Sequence, residues 1–193
     1  MQKTRRIVAA LCFLAAFTIV ASAQNTNSST TTHGGMMMEK SLYDRLGGVA
    51  AITAVTDEFI KNAAADTRIN AKFGKTDIPR LRLHLIEQLS AATGGPYVYT
   101  GMSMIKTHKN MGVTEGEFGA LVEDLVKALD KFSVPEKEKG ELLAILGPLK
   151  SQIVEVNSAD TGTPLPGTFK PAKKLSTKQV NAGPKMKKAK SGM

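Results

Sequence analysis

The chain has 193 residues, enough for one domain and its tails. It carries 26 Lys+Arg against 17 Asp+Glu, but residues 24–160 hold 15 basic and 17 acidic side chains while residues 161–193 hold eight lysines and no acid. The basic character therefore belongs to the ends and not to the fold, and with no aromatic stacking platform beside the lysines, nucleic acid is excluded as a partner.

In chain order, Lys3, Arg5 and Arg6 precede an apolar run of fourteen residues, "IVAALCFLAAFTIV", and Ala21-Ser22-Ala23 precede Gln24. This is the pattern of a secretory signal peptide, residues 1–23, cut after Ala23. The apolar run is short for a membrane span, which needs about twenty residues. The mature protein is expected to be exported, to the periplasm or outside the cell. The only cysteine, Cys12, leaves with the signal, so the mature chain has neither disulfide nor thiolate ligand. Residues 24–40 are polar and read as a flexible linker. His33 and Met36 to Met38 are soft donors of the kind that bind copper, although a flexible spacer is their ordinary explanation.

From Ser41 to Val156 the pattern is helical throughout, which makes the domain all-α. Ser41 and Asp44 look like a helix cap. Gly47 and Gly48 interrupt the chain before "AAITAVTDEFIKNAAA", where Ile52, Val55, Phe59 and Ile60 recur at helical spacing. Pro79 suits the first turn of "PRLRLHLIEQLSAAT", which stops at Gly94-Gly95-Pro96. A Thr114–Glu117 capping box opens a third long helix carrying Phe118, Leu121, Val122, Leu125 and Leu129. A fourth starts at Pro135, and Gly147-Pro148 should kink it. Residues 157–193 are rich in Pro, Gly and Lys and poor in large apolar residues, so they are expected to be disordered. Their lysines suit an anionic membrane or envelope surface, or simple solubilisation.

The segments "SLYDRLGG", "DEFI", "ADTRINAKF", "GGPYVYTG" and "MIKTHKNMGV" occur here in that order. In order and spacing they resemble the truncated haemoglobins of the first group, over residues 41–156. That resemblance implies a two-over-two helical sandwich around a haem. His108 would be the proximal iron ligand, carried on a short helix swung under the metal. A neutral imidazole is a standard axial donor. No C-x-x-C-H motif is present, so the group would be haem b, protoporphyrin IX iron without thioether links. Some relatives tie the haem to a histidine on the last helix, but residues 135–156 contain none.

The same resemblance assigns the rest of the pocket. Phe59 and Phe73 would pack on the haem or be plain core. Arg80 and Tyr99 would reach its propionates. Many relatives carry a distal tyrosine and glutamine; by position these places fall to Ile60 and to Leu81, Leu85 and Leu89, all apolar. Hydrogen bonds to a partly charged ligand are worth about 1.5–3 kcal/mol, so their loss implies oxygen retention weaker by about one to two decades. His84 borders the haem-facing stripe. It is either a sixth iron ligand, giving a bis-histidyl resting state, or a side chain at the haem edge. Met102, Met104 and Met111 read as packing. The implied function is an exported globin that binds O2, NO or CO. Redox turnover of nitric oxide or peroxide, with electrons from a reductase, would make it an enzyme. The alternative is a non-catalytic gas sensor or adaptor tethered by its basic tail.

Overall fold

The structure, a computed structural model, describes residues 39–188 of the chain. The signal sequence, its cleavage point, and His33 with Met36 to Met38 lie outside the described residues.

Local sequence sets each element. Ser41 Oγ accepts from the Asp44 N–H at 3.1 Å and donates to Asp44 Oδ2 at 2.6 Å, which starts α1 (Leu42–Arg45). Gly47 adopts a φ of 97°, a left-handed conformation that lets the chain turn at once into α2 (Gly48–Ala65). A 3-10 turn at Asn70–Phe73 leads to α3 (Ile78–Ala92), with Pro79 in its first turn. α4 (Met104–His108) is a single short helix whose N-cap is Ser103. α5 (Glu115–Lys131) opens on the Thr114–Glu117 capping box, with both halves formed. α6 (Glu136–Leu146) gives way at Gly147-Pro148 to a 3-10 turn, Gly147–Leu149, and then to α7 (Lys150–Ile153). Pro148 has no N–H to continue the α-helical ladder, which is the physical origin of the expected kink. Among the described residues there are no strands, only the isolated bridges Tyr97–Met186 and Thr114–Val156.

The fold is a two-over-two helical sandwich. α2 packs against both α3 and α5, and α1 against α6. The core is formed by Leu42 of α1, Ile52 and Val55 of α2, Ile86 and Leu89 of α3, Leu125, Ala128 and Leu129 of α5, and Leu142 of α6. The free space between these helices, bordered by Ile52, Val55, Leu89 and Leu129, is only about 20 Å³. That is room for about one water among these core side chains. No helix among the described residues is long and apolar enough to cross a membrane.

The expectation of a disordered tail does not describe residues 157–188. Leu165 and Phe169 pack against a second cluster built on Met111, Val113 and Ile153. The N–H and hydroxyl of Thr163 both donate to Glu117 Oε1, at 2.9 and 2.7 Å. The Leu175 N–H donates to Asp77 Oδ2 at 2.8 Å, and a short α8 (Thr177–Asn181) follows, closed by its own Ser176–Gln179 capping box. The chain then pairs with the second glycine motif. The Val98 N–H donates to the Lys185 carbonyl at 2.8 Å, and the Lys187 N–H to the Pro96 carbonyl at 2.7 Å. Average composition misses this order because a few spaced anchors, not a continuous apolar run, supply it.

Candidate cofactor site

α3 and α4 meet where Gln88 Nε2 approaches Met104 Sδ at 3.8 Å. His84 lies one turn before Gln88 on α3, and His108 one turn after Met104 on α4. A spacing of four keeps each histidine on the face that makes this contact. His108 Nδ1 lies 2.8 Å from the Met104 carbonyl oxygen. A carbonyl only accepts, so Nδ1 carries the proton and Nε2 keeps its lone pair. Burial holds the His108 pKa below the ordinary 6.5, against the opposing pull of the Met104 carbonyl and Glu155. The ring is therefore neutral at neutral pH, the form that can ligate a metal.

His84 is fixed in the same way by a stronger acceptor. Its Nδ1 lies 3.1 Å from Glu87 Oε2, one helical turn along α3. Glu87 is only 1 % exposed. Burial pushes its carboxyl up, but hydrogen bonds from the Thr100 hydroxyl, the Thr100 N–H, His84 and the Lys185 backbone outweigh it, so the net shift is below the usual carboxylate range. An ionised carboxylate has no proton to give, so His84 Nδ1 is the donor. Its Nε2 is buried and has no hydrogen-bond partner among the described residues. A buried polar nitrogen without a partner is costly and calls for an occupant. The His84 ring also meets the Tyr99 ring edge-on, with centroids 5.9 Å apart.

The remaining expected pocket residues, Phe59, Ile60, Phe73, Arg80, Leu81, Leu85 and Tyr99, are all half-buried, neither sealed in the core nor free on the surface. Phe59 lies against the main core cluster, and Phe73 against Ala63, Ile69 and Ala120. The polar ends of Arg80 and Tyr99 have protein partners here: Arg80 Nη1 donates to the Lys173 carbonyl at 3.3 Å, and Tyr99 Oη to the Met102 carbonyl at 2.7 Å. Met111 is buried and Met104 packs beside it, which makes them filler around the short helix.

These observations fit haem. Two imidazoles have Nδ1 engaged by an acceptor and leave Nε2 for a metal, the His84 Nε2 as an orphan, beside half-buried apolar side chains. Among the described residues no cluster of three or more His, Cys, Asp or Glu is arranged to hold a bare ion. A porphyrin supplies four nitrogens and leaves two axial positions.

Sequence reasoning missed Glu87, Thr100 and a second buried pair, Lys72 and Glu117. The signal for Glu87 was its place three residues after a candidate ligand, where an acid can orient an imidazole. Lys72, 4 % exposed, reaches the carbonyls of Met111 and Gly112 at 2.9 and 3.1 Å, Thr163 Oγ1 at 2.8 Å, and Glu117 Oε2 at 3.4 Å. It fixes the chain that follows α4 and ties it to the C-terminal segment.

Comparison with known proteins supplies the context. The family model for bacterial-like globins matches residues 41–155. The chain is 35% identical over 113 residues to the group 1 truncated haemoglobin GlbN of Mycolicibacterium paratuberculosis, covering 58% of this chain and 83% of that protein. It is 34% identical over 110 residues to the protein of the same name from Synechocystis, covering 55% and 89%. In structure it resembles the ferric truncated haemoglobin of Tetrahymena pyriformis, with a TM-score of 0.58 and 27% identity over 60% of this chain and 98% of that one. The two-over-two haemoglobin of a Synechococcus species, solved in the cyanomet state with covalently attached haem, gives a TM-score of 0.58 at 29% identity, covering 61% and 100%.

Proposed function

The chain belongs to the bacterial-like globin family as a group 1 truncated haemoglobin, and from that premise we propose that it is an exported haem protein whose resting iron is held between His108 and His84. Haem is its cofactor, and a diatomic gas such as O2 is its ligand. When bound, the haem supplies the iron at which gas binding and electron transfer occur.

The observation that carries the proposal is the buried, partnerless Nε2 of His84, with Nδ1 engaged by a carboxylate. His108 gives the second lone pair, its tautomer set by the Met104 carbonyl. Ile60, Leu81 and Leu85 are half-buried and apolar, and offer no donor to a bound gas. Without such donors, held O2 is favoured less by about one to two decades. This weighs against oxygen storage. It supports a role in electron transfer, or in removing nitric oxide or peroxide with electrons from a separate reductase, with NO and CO as further ligands. Export rests on the basic, apolar and small-residue pattern of residues 1–23.

The absorption spectra of the purified ferric and ferrous protein test this directly. Low-spin spectra in both states that become high-spin in His84→Ala are expected, with His108→Ala losing most of its haem. Full haem retention in His108→Ala overturns the proximal assignment, and a high-spin parent protein overturns the bis-histidyl one.

A second reading, a sensor or adaptor bound to an anionic surface, draws on one feature. The C-terminal segment is docked through its backbone and apolar side chains, yet Lys170, Lys173, Lys174 and Lys178 remain exposed. A row of free ammonium groups on an anchored segment suits a polyanionic partner such as an acidic membrane.

A further inference from the structure

We propose that Glu87 is the positioning residue of the distal imidazole, and that the C-terminal segment keeps Glu87 in place. The inference rests on the bis-histidyl reading and adds what sets the strength of that sixth ligand.

A carboxylate as deeply buried as Glu87 is destabilising unless its oxygens are satisfied and its charge is balanced. One of its oxygens is fully engaged: Oε2 accepts from the Thr100 N–H at 2.9 Å, the Thr100 hydroxyl at 2.7 Å and His84 Nδ1 at 3.1 Å. Its charge is not balanced. Among the described residues no Lys or Arg forms an ion pair with it, and His84 is its sole basic partner. Elsewhere in the same domain buried acids do meet cations, as Glu117 meets Lys72 and Asp124 meets Lys127. This acid holds Thr100 in place, but without a cation beside it its charge is aimed at a ring whose other nitrogen is buried and without a partner. That arrangement has a use at a metal, where an imidazole that gives its N–H to a carboxylate is oriented and made a stronger donor.

The two axial imidazoles then differ in a defined way. His108 gives its N–H to a neutral carbonyl, and His84 gives its N–H to a carboxylate. The distal ring is the better donor of the two. With haem bound, it would hold the iron more firmly against incoming gas and would favour the ferric over the ferrous state.

The C-terminal segment completes this arrangement. The backbone N–H of Lys185 lies near the Glu87 carboxylate and helps to hold its pKa down, after the larger effects of Thr100 and His84. Lys185 is held there by its carbonyl, which accepts from Val98, and by the next turn of chain, where the Lys187 N–H reaches the Pro96 carbonyl and Lys187 Nζ the Gly95 carbonyl at 2.8 Å. The globin family match ends at residue 155. A stretch beyond the globin domain thus supplies an interaction one residue removed from the iron ligand.

Three single changes in the full-length holoprotein test this, with His84→Ala as reference. Glu87→Gln keeps the size and an acceptor oxygen and removes the charge. Glu87→Leu removes both. Lys185→Pro removes the backbone N–H, with Lys185→Ala as the control for the lost side chain. Loss of such a supporting partner typically costs 10–100-fold in ligand strength. CO binding to the ferrous protein, limited by departure of His84, should speed up by about that factor in Glu87→Leu. Glu87→Gln should stay low-spin but show a raised reduction potential. Lys185→Pro should shift both readouts in the same directions by less. If His84→Ala turns high-spin while both Glu87 variants keep the parent's CO rate and potential, the positioning role is refuted and the bis-histidyl reading stands. If His84→Ala leaves the spectrum unchanged, that reading fails and this one with it. A Lys185→Pro protein identical to the parent removes the C-terminal segment from the proposal.

Discussion

Thr163→Val probes whether the C-terminal segment is docked. The Thr163 hydroxyl stands between two buried charges, accepting from Lys72 Nζ at 2.8 Å and donating to Glu117 Oε1 at 2.7 Å. Valine has nearly the same shape and neither function. A hydrogen bond to a charged group is worth about 1.5–3 kcal/mol, and an unmade one at a buried group costs similarly. Both charges keep other partners: Lys72 the Met111 and Gly112 carbonyls, Glu117 the N–H groups of Thr163 and Thr114. The two losses are therefore not fully additive, and about 2–4 kcal/mol is the expected sum. For a domain of this size each kcal/mol lowers Tm by about 2–4 °C, which gives a fall of roughly 5–15 °C. Thermal unfolding followed by far-UV circular dichroism reads it, with Thr163→Ser as the control that keeps the hydroxyl and should melt near the parent. If Thr163→Val melts within a degree or two of the parent, the hydroxyl does not sit between these charges in solution, and the docked segment is refuted at its first anchor.

Gly47→Ala forces a Cβ onto a residue with φ 97° and sets it 3.0 Å from Ala51 Cβ, so a loss of about 1–3 kcal/mol is expected in urea unfolding. Arg45 of α1 reaches Glu138 and Glu141 of α6, with its Nη1 at 2.7 and 2.9 Å, and Arg45→Met should lower the urea midpoint with the helical content unchanged. Acid should weaken the fold in two steps. The His108 pKa is depressed, so its contribution is complete above pH 6.5 and is lost as pH falls from there through the folded value. Glu87 is depressed as well, so its contribution is lost only as pH falls below 4.5. Urea unfolding at pH 7.5, 5.5 and 4 should show both declines, and His108→Gln should lack the first. Replacing Lys170, Lys173 and Lys174 by Gln should cut adsorption to anionic vesicles and leave the melt unchanged; equal adsorption would assign these lysines to solubility alone.

What could be read from the sequence depended on how local its cause is. The long helices were legible because apolar spacing, Pro79 and the Thr114–Glu117 box act within a few residues. The short helix that carries His108 was legible because a break after a double glycine is a local pattern. Glu87 was half legible. Its spacing from His84 is local, but its burial depends on Thr100 and on Lys185, and no window of sequence joins the three. The C-terminal segment was illegible for a different reason. Composition averages over the whole stretch and finds Pro, Gly and Lys, whereas its order comes from Thr163, Leu165, Phe169 and Leu175, each waiting for a site on the domain. Lys72 and Glu117 form one such site, a buried charged pair that lacks full satisfaction until a hydroxyl from far along the chain arrives. A tail judged by its own surface looks unable to fold, and it need not do so alone, because the domain has prepared the contacts in advance.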